Sequence, residues 1–292
     1  MSQMNLMAGV SNPGHRFPRI NFIGVSIAIV VALIAASWTD LLTSDRLQAN
    51  FFSAEIARRA WEFLKDLLGI GTGVTPAFFK ASQWSDKGIL AVETLAMSVL
   101  GIGIAAAVAL ATFMFGARNI MTGELSPYGS VAWKGVFVLT RAFFTLTRAI
   151  PELVWAMIII FVFSPGILAG GIALGIHNAG VLGKLGSEVV EGLDQRPIRA
   201  LRSTGAGRLQ VLFYAVLPQA LPRFVTYLFY RWEVVIRTTI VVGFVAAGGL
   251  GLEFRLAMSH FKYTEVALIL LWYLIIVLAV DIVAAYLRRL AD

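Results

Sequence analysis

Six stretches of the chain are apolar over about the length a helix needs to cross a bilayer, and polar segments separate them. They run from Ile20 to Trp38, Gly88 to Gly116, about Val136 to Phe163, about Ile167 to Val190, Leu221 to Val245 and Glu265 to Leu287. Each is close to or above the roughly 20 residues that carry a helix through ~30 Å of hydrocarbon, where a helix satisfies its own backbone polar groups. The pattern predicts an all-α integral membrane protein with six transmembrane helices. Between the first two spans, "SAEIARRAWEFLKDLLG" sets Ile56, Ala60, Trp61, Leu64, Leu67 and Leu68 at helical spacing, with Ser53 placed to cap the start. This predicts an amphipathic helix, lying either on the membrane surface or against the protein's own outer loops.

Composition agrees. Of 292 residues, 58% are hydrophobic and 14% charged, with a mean hydropathy of +0.79. So few charges do not cover the surface of a soluble protein of this size. Cysteine is absent, which removes disulfides and thiolate metal sites. The net charge of +7 raises nucleic acid as a partner, but the placement of the charges decides against it. Between Thr39 and Lys87 acids and bases balance, whereas Asp194 to Arg223 holds Arg196, Arg199, Arg202, Arg208 and Arg223 against Asp194 alone. Short loops rich in Lys and Arg stay in the cytoplasm. Arg16 and Arg19 before the first span and Arg288 and Arg289 at the other end agree, so both termini are expected inside a bacterial cytoplasmic membrane. Segments 39–87 and 246–264 then face outward. The first apolar run with "ALIAAS" fits a retained anchor and, loosely, a cleaved signal peptide; both readings stay open.

No catalytic set is visible. "GVLGKL" at Gly180 to Leu185 has Asn178 where a nucleotide loop needs its first glycine and Leu185 where Ser or Thr would hold magnesium. The chain therefore cannot bind ATP through that stretch. His15, His177 and His260 are scattered with no partner at metal-ligand spacing, and His177 beside Asn178 reads as a polar pair inside the bundle. Small residues four apart, Gly166 with Gly170 and Gly171 with Gly175, predict close helix packing. Arg141 and Arg148, seven apart on one face ahead of Pro151, read as snorkelling to the inner headgroups.

The most informative loop is "RPIRALRSTGAGRLQVLFYAVLPQALPRF", Arg196 to Phe224. Pro197 suits a first helical turn, Gly205 and Gly207 give a break, and Pro218 and Pro222 are expected to end the second helix before the next span. An amphipathic, basic helix pair on the inner face is a surface for docking something cytoplasmic. The loop resembles the signature loop of binding-protein-dependent ABC importer permeases, E-A-A, three residues, G, nine residues, a hydrophobic residue, any residue, L-P. In that register stand Arg199, Ala200, Leu201, Gly205, Ala215, Leu217 and Pro218. Ala200, Gly205, Leu217 and Pro218 match, while Arg199 replaces the glutamate and Leu201 the second alanine. "RAIPELV", "GVLGKLGSEVVE", "YRWEVVIRTT", "AAGGLG" and "ETLAMSVLG" are similar to the phosphonate-type permeases, over about residues 85 to 290.

The resemblance implies a type I ABC importer permease-like bundle with cytoplasmic coupling helices. Residues 1–84 would hold the cytoplasmic tail, first span and outer amphipathic segment, and residues 85–292 the permease core with a coupling loop at about 193–220. It further implies a pair of identical permeases in the bilayer, two cytoplasmic ABC ATPase subunits carrying ATP and Mg, and an external solute-binding protein. This chain would carry no cofactor. The solute would be a phosphonate or a related phosphorus oxyanion, moved by alternating access, with Arg199, Ala200, Leu201, Gly205, Leu217 and Pro218 coupling to the ATPase. Two other classes are weighed against this. A stand-alone secondary carrier or anion channel explains buried charges but not the docking loop, and an enzyme acting on lipid phosphate lacks a catalytic cluster.

The fifth span carries the charges that matter most. Glu233 and Arg237 are one turn apart and are expected to pair, leaving Arg231 as a surplus positive charge unless Glu152 or Glu188 answers it. An unpaired charge costs at least ~2.5 kcal/mol near the bilayer centre, so these side chains face the bundle interior or a wet cavity. Arg231, Glu233 and Arg237 are therefore read either as part of an anion pathway or as an ion-pair network that only orients helices. "AAGGLG", with Gly248, Gly249 and Gly251, is read as an outer gate or a plain helix terminus.

Overall fold

A computed structural model describes residues 22–43, 54–71, 73, 75–121 and 131–291. Arg16, Arg19, His15 and the proposed cap Ser53 lie outside the described residues. Every regular element described is a helix. The chain divides into two compact units, Met1–Leu64 and Lys65–Asp292.

The first unit contains α1 (Phe22–Thr43) and most of α2 (Ala54–Leu68). No residue of α1 is buried by protein, and the helix is apolar on all sides. Such a surface is stable only in lipid, as expected for a span. α2 is amphipathic: Ile56, Trp61 and Leu64 form an exposed apolar stripe, and Arg58–Glu62 and Arg59–Glu55 pair one turn apart on the polar side.

In the second unit, α3 (Ala81–Thr112) and α7 (Ile167–Glu191) make the most extensive packing. Small residues set the distance. A Cβ on Gly101 would meet Leu174 Cβ at 2.8 Å, and one on Gly175 would meet Ile104 Cβ at 2.8 Å. Without a hydrophobic drive between helices in lipid, this close backbone approach supplies the dispersion that holds them. Gly170, Gly171 and Gly175 do pack this way, whereas Gly166 stands before the first turn of α7 with nothing near its Cβ position.

The third apolar stretch is not one straight span. After the short α4 (Arg118–Met121), α5 (Val131–Ala149) and α6 (Glu152–Phe163) meet at Pro151 with a 94° bend. Proline removes the N–H that Thr147 O needs, and the residue before it avoids the helical region. The Trp155 indole N–H donates to Thr147 O at 2.9 Å and fills the gap.

The expectation that Pro218 and Pro222 end a helix is not met. α8 (Gln195–Ser203) and the short α9 (Arg208–Val211) are separated as predicted, but from Arg208 the chain stays helical to Val245 through α10 (Leu217–Val242). Pro218 occupies the first turn of α10 and Pro222 its interior, so neither ends a helix. The turn Leu212–Val216 is widened to a π-helix, and the Leu217 N–H reaches Leu212 O. This is the device by which a helix absorbs a missing donor and continues.

At its far end α11 (Gly249–Ser259) leaves this helix at 50°, and α12 (Tyr263–Ala291) closes the bundle. Among the described residues four helices are long and apolar enough to cross a membrane, and counting each bent pair as one span gives six.

Candidate functional site

The basic loop is anchored from beneath. Asp194 caps α8 by accepting from the Arg196 N–H at 3.0 Å, and Pro197 lies in the first turn. Ile198, 1% exposed, and Val211, 4%, plug into a cluster with Phe113, Val190 and Val216. Burying one such side chain stabilises by about 2 kcal/mol. With Ile198 facing in, Arg196, Arg199 and Ala200 are exposed, and Leu201 is half-buried against the same cluster. Gly205 turns the chain at φ +82°, and Gly207 N–H is capped by Gln210 Oε1 at 2.7 Å. Ala215 is buried, Leu217 half-buried and Pro218 exposed. Beside the turn lies an apolar cleft of about 370 Å³ lined by residues including Met114, Phe115, Trp133, Arg202, Arg208 and Leu209.

A second group of polar side chains meets inside the bundle, at the Pro151 bend. Glu152 opens α6, His177 and Asn178 lie mid-way along α7, and Arg231 lies mid-way along α10. Arg231 Nε donates to Asn178 Oδ1 at 2.5 Å, and Nη2 donates to Glu152 Oε1 at 3.3 Å. Asn178 is fully enclosed and turns its amide nitrogen to Leu174 O at 2.7 Å. His177 Nδ1 lies 3.0 Å from Ile150 O, and its Nε2 faces Glu152 Oε1 at 3.5 Å. His177 and Asn178 are thus not a pair with each other; they belong to one four-residue cluster. Of the two carboxylates weighed for Arg231, Glu152 is the one that reaches it, while Glu188 pairs with Lys184 at 3.2 Å.

The expected Glu233–Arg237 pair does not form. Arg237 Nη2 lies 2.9 and 2.8 Å from the two oxygens of Asp281, and Glu233 accepts from Arg288 at 2.5 Å. Both partners are on α12, because the i to i+4 spacing only permits a pair and a carboxylate or guanidinium on the packed neighbour competes for it. Asp281 had a visible signal, as a lone acid in an apolar span that needs a cation. Arg141 has partners within the protein. It donates to Gly116 O at 2.7 Å and to Glu191 Oε1 at 2.5 Å, fastening α5 to the end of α7. Arg148 is exposed. Elsewhere in the bundle, nearly enclosed Lys87 joins Glu253 of α11 at 2.5 Å and Glu265 of α12 at 3.2 Å.

At the break between α10 and α11, Gly248 and Gly249 take φ of +92° and +64°, a region costly for side-chain-bearing residues. Leu250 N–H donates to Thr94 Oγ1 at 2.9 Å. Gly251 has a different reason to be glycine: a Cβ there would lie 2.7 Å from Gly243 Cα.

Residues 136–292 match the family described as "binding-protein-dependent transport system inner membrane component". The phosphite transport system permease protein PtxC of Stutzerimonas stutzeri is 38% identical over 265 residues, covering 91% of this chain and 87% of that protein. The phosphate-import permease protein PhnE of Mycolicibacterium smegmatis is 34% identical over 203 residues, covering 70% of this chain and 36% of that longer protein. In fold, the chain is similar to a structure of the MetNI methionine ABC transporter in an inward-facing conformation. The TM-score is 0.59 at 21% identity, covering 69% of this chain and 94% of that one.

Proposed function

The chain belongs to the binding-protein-dependent transport system inner membrane components, as a multi-pass permease of the phosphonate type, and from that premise we propose that it imports a phosphorus oxyanion by alternating access. Two copies would form the pathway in the inner membrane, over two cytoplasmic ATPase subunits that bind ATP and Mg, with an external binding protein delivering the solute. Both termini would be cytoplasmic. The observation that carries the solute class is the 38% identity, over nine-tenths of the chain, to a phosphite permease. Phosphite, phosphate and phosphonates share tetrahedral oxygens and negative charge, and a guanidinium is suited to both.

The geometry supports a mechanical role for the loop. Arg196, Arg199, Ala200 and the turn at Gly205 present a basic face, and the neighbouring cleft offers an apolar socket. From Arg208 one helix, widened but unbroken, runs past Arg231 to the 50° break at Gly248. Arg231 stands about 35 Å along it from Arg208 at 1.5 Å per residue. Movement of the docking face is thereby delivered to the polar cluster and to the outer bend as a rigid-body push. Gly248 and Gly249 supply the bend of the outer gate, and Gly251 its close contact.

Reconstitution tests this. Proteoliposomes with this permease, its ATPase and its binding protein should take up phosphite, phosphate or methylphosphonate only with ATP. Arg231→Gln should lower uptake at least tenfold with normal recovery of the complex. Uptake without an ATPase chain, or unchanged kinetics in Arg231→Gln, would discard the coupling and the pathway role respectively.

A further inference from the structure

We propose that Glu152 is a tethered competitor for the transported oxyanion: between Arg231 and His177 its carboxylate holds the place that a phosphorus oxyanion takes in passage. This rests on the solute class proposed above. One carboxylate oxygen, Oε1, lies 3.3 Å from Arg231 Nη2 and 3.5 Å from His177 Nε2, so a single anionic oxygen already sits between two nitrogens brought in by separate helices.

The guanidinium is held for a two-point ligand and receives a one-point ligand. Its Nε is committed to Asn178 Oδ1, itself enclosed and fixed on α7, which orients the guanidinium plane. Nη2 meets Glu152, and Nη1 has no hydrogen-bond partner among the described residues. Glu152 Oε2 is likewise without one. Neither atom is among the enclosed unpartnered polar atoms, which are Asn119 Oδ1 and Trp272 Nε1, so both open onto accessible space. The side chains of Arg231 and Glu152 are 19% and 13% exposed. The cluster therefore keeps accessible surface in the single chain. A tetrahedral oxyanion approaching there accepts from Nη1 and Nη2 together, the bidentate geometry a guanidinium favours, and displaces Oε1.

Tethering decides how tightly the solute is held. An unmasked guanidinium in a low-dielectric setting would trap a dianion, and conduction needs sites that are entered readily and left readily. A carboxylate on the adjacent helix returns as an intramolecular ligand at high effective concentration, so each bound anion is displaced again. The site stays shallow without losing its selectivity for anions. Glu152 lies directly after the Pro151 bend, so rotation of α6 against α5 changes its reach toward Arg231.

The test measures anion retained by the assembled importer, purified with its ATPase and without binding protein, using labelled phosphate, phosphite and methylphosphonate, together with uptake in proteoliposomes. Glu152→Gln should retain about tenfold more of at least one anion and should slow uptake, because the competitor is gone while shape is kept. Adding Arg231→Gln should abolish the extra retention. Wild-type retention and uptake in Glu152→Gln overturn the proposal, as does extra retention that survives Arg231→Gln, since the anion then sits elsewhere. If Glu152→Gln does not assemble, Glu152→Asp withdraws the carboxylate by one methylene and should raise retention to a lesser degree; wild-type retention there overturns the proposal. Wild-type protein that imports none of the three anions discards the solute class and this proposal with it, whereas ordinary wild-type import with an unchanged Glu152 variant discards this proposal alone.

Discussion

Arg237 is clamped by both carboxylate oxygens of Asp281, 2.9 and 2.8 Å away on α12, although Glu233 stands one turn from it on its own helix. Glu233 is turned instead to Arg288, so two charge pairs rivet α10 to α12. Arg237→Gln and Asp281→Asn should each lower the melting temperature of the detergent-purified protein, and the double variant should recover most of the loss. A coupling energy on the order of 1 kcal/mol is expected from the double-mutant cycle. Additive losses in the melts would show that the pair does not act as a unit.

Lys87 is the least exposed charged side chain among the described residues, and it bridges two carboxylates on α11 and α12. Removing one member of a buried ion cluster leaves an uncompensated charge, at a cost of about 3–5 kcal/mol. Lys87→Met should therefore reduce recovery of folded protein sharply, while Lys87→Met combined with Glu253→Gln should restore part of it, since Glu265 retains Lys262 at 3.2 Å. Recovery is read by monodisperse elution, and equal recovery of the wild type and Lys87→Met would refute the cluster's role.

Gly205 has φ +82° and no atom within 4 Å of the position a Cβ would take. Gly205→Ala should thus cost only about 1 kcal/mol of backbone strain and leave transport close to normal. Gly205→Glu adds a negative charge to a face whose exposed side chains include Arg196 and Arg199, and should abolish uptake while the protein remains inserted. Protease mapping establishes insertion. Normal uptake and normal ATPase recovery in Gly205→Glu would remove the loop from the coupling path.

Topology follows from the charge bias. A reporter active only outside the membrane should work when fused near Gly73 and near Ser259, and should fail near Gly207 and after Asp292. The reverse pattern would overturn the expected orientation. Loss of the first span from the mature chain would instead establish signal cleavage.

Apolar run length by itself located the candidate membrane-crossing stretches, because the bilayer requires a fixed helical rise and the chain can meet it only with continuous apolar sequence. Local chemistry also fixed the break at Gly205 and the short helix capped by Asp194, both of which depend on residues within one turn of each other. The prolines were legible only as missing donors. Whether Pro151 breaks a helix or Pro218 and Pro222 are carried through one depends on what neighbouring groups do with the freed carbonyls and on whether a widened turn fits. The charges behaved in the same way. Sequence demanded that Arg231, Glu233 and Arg237 find partners, since lipid gives no alternative, but it offered only the nearest candidates along the helix. Packing of α6, α7, α10 and α12 chose Glu152, Arg288 and Asp281, because a partner is decided by which face of which helix lies opposite, and that is a property of the assembled bundle.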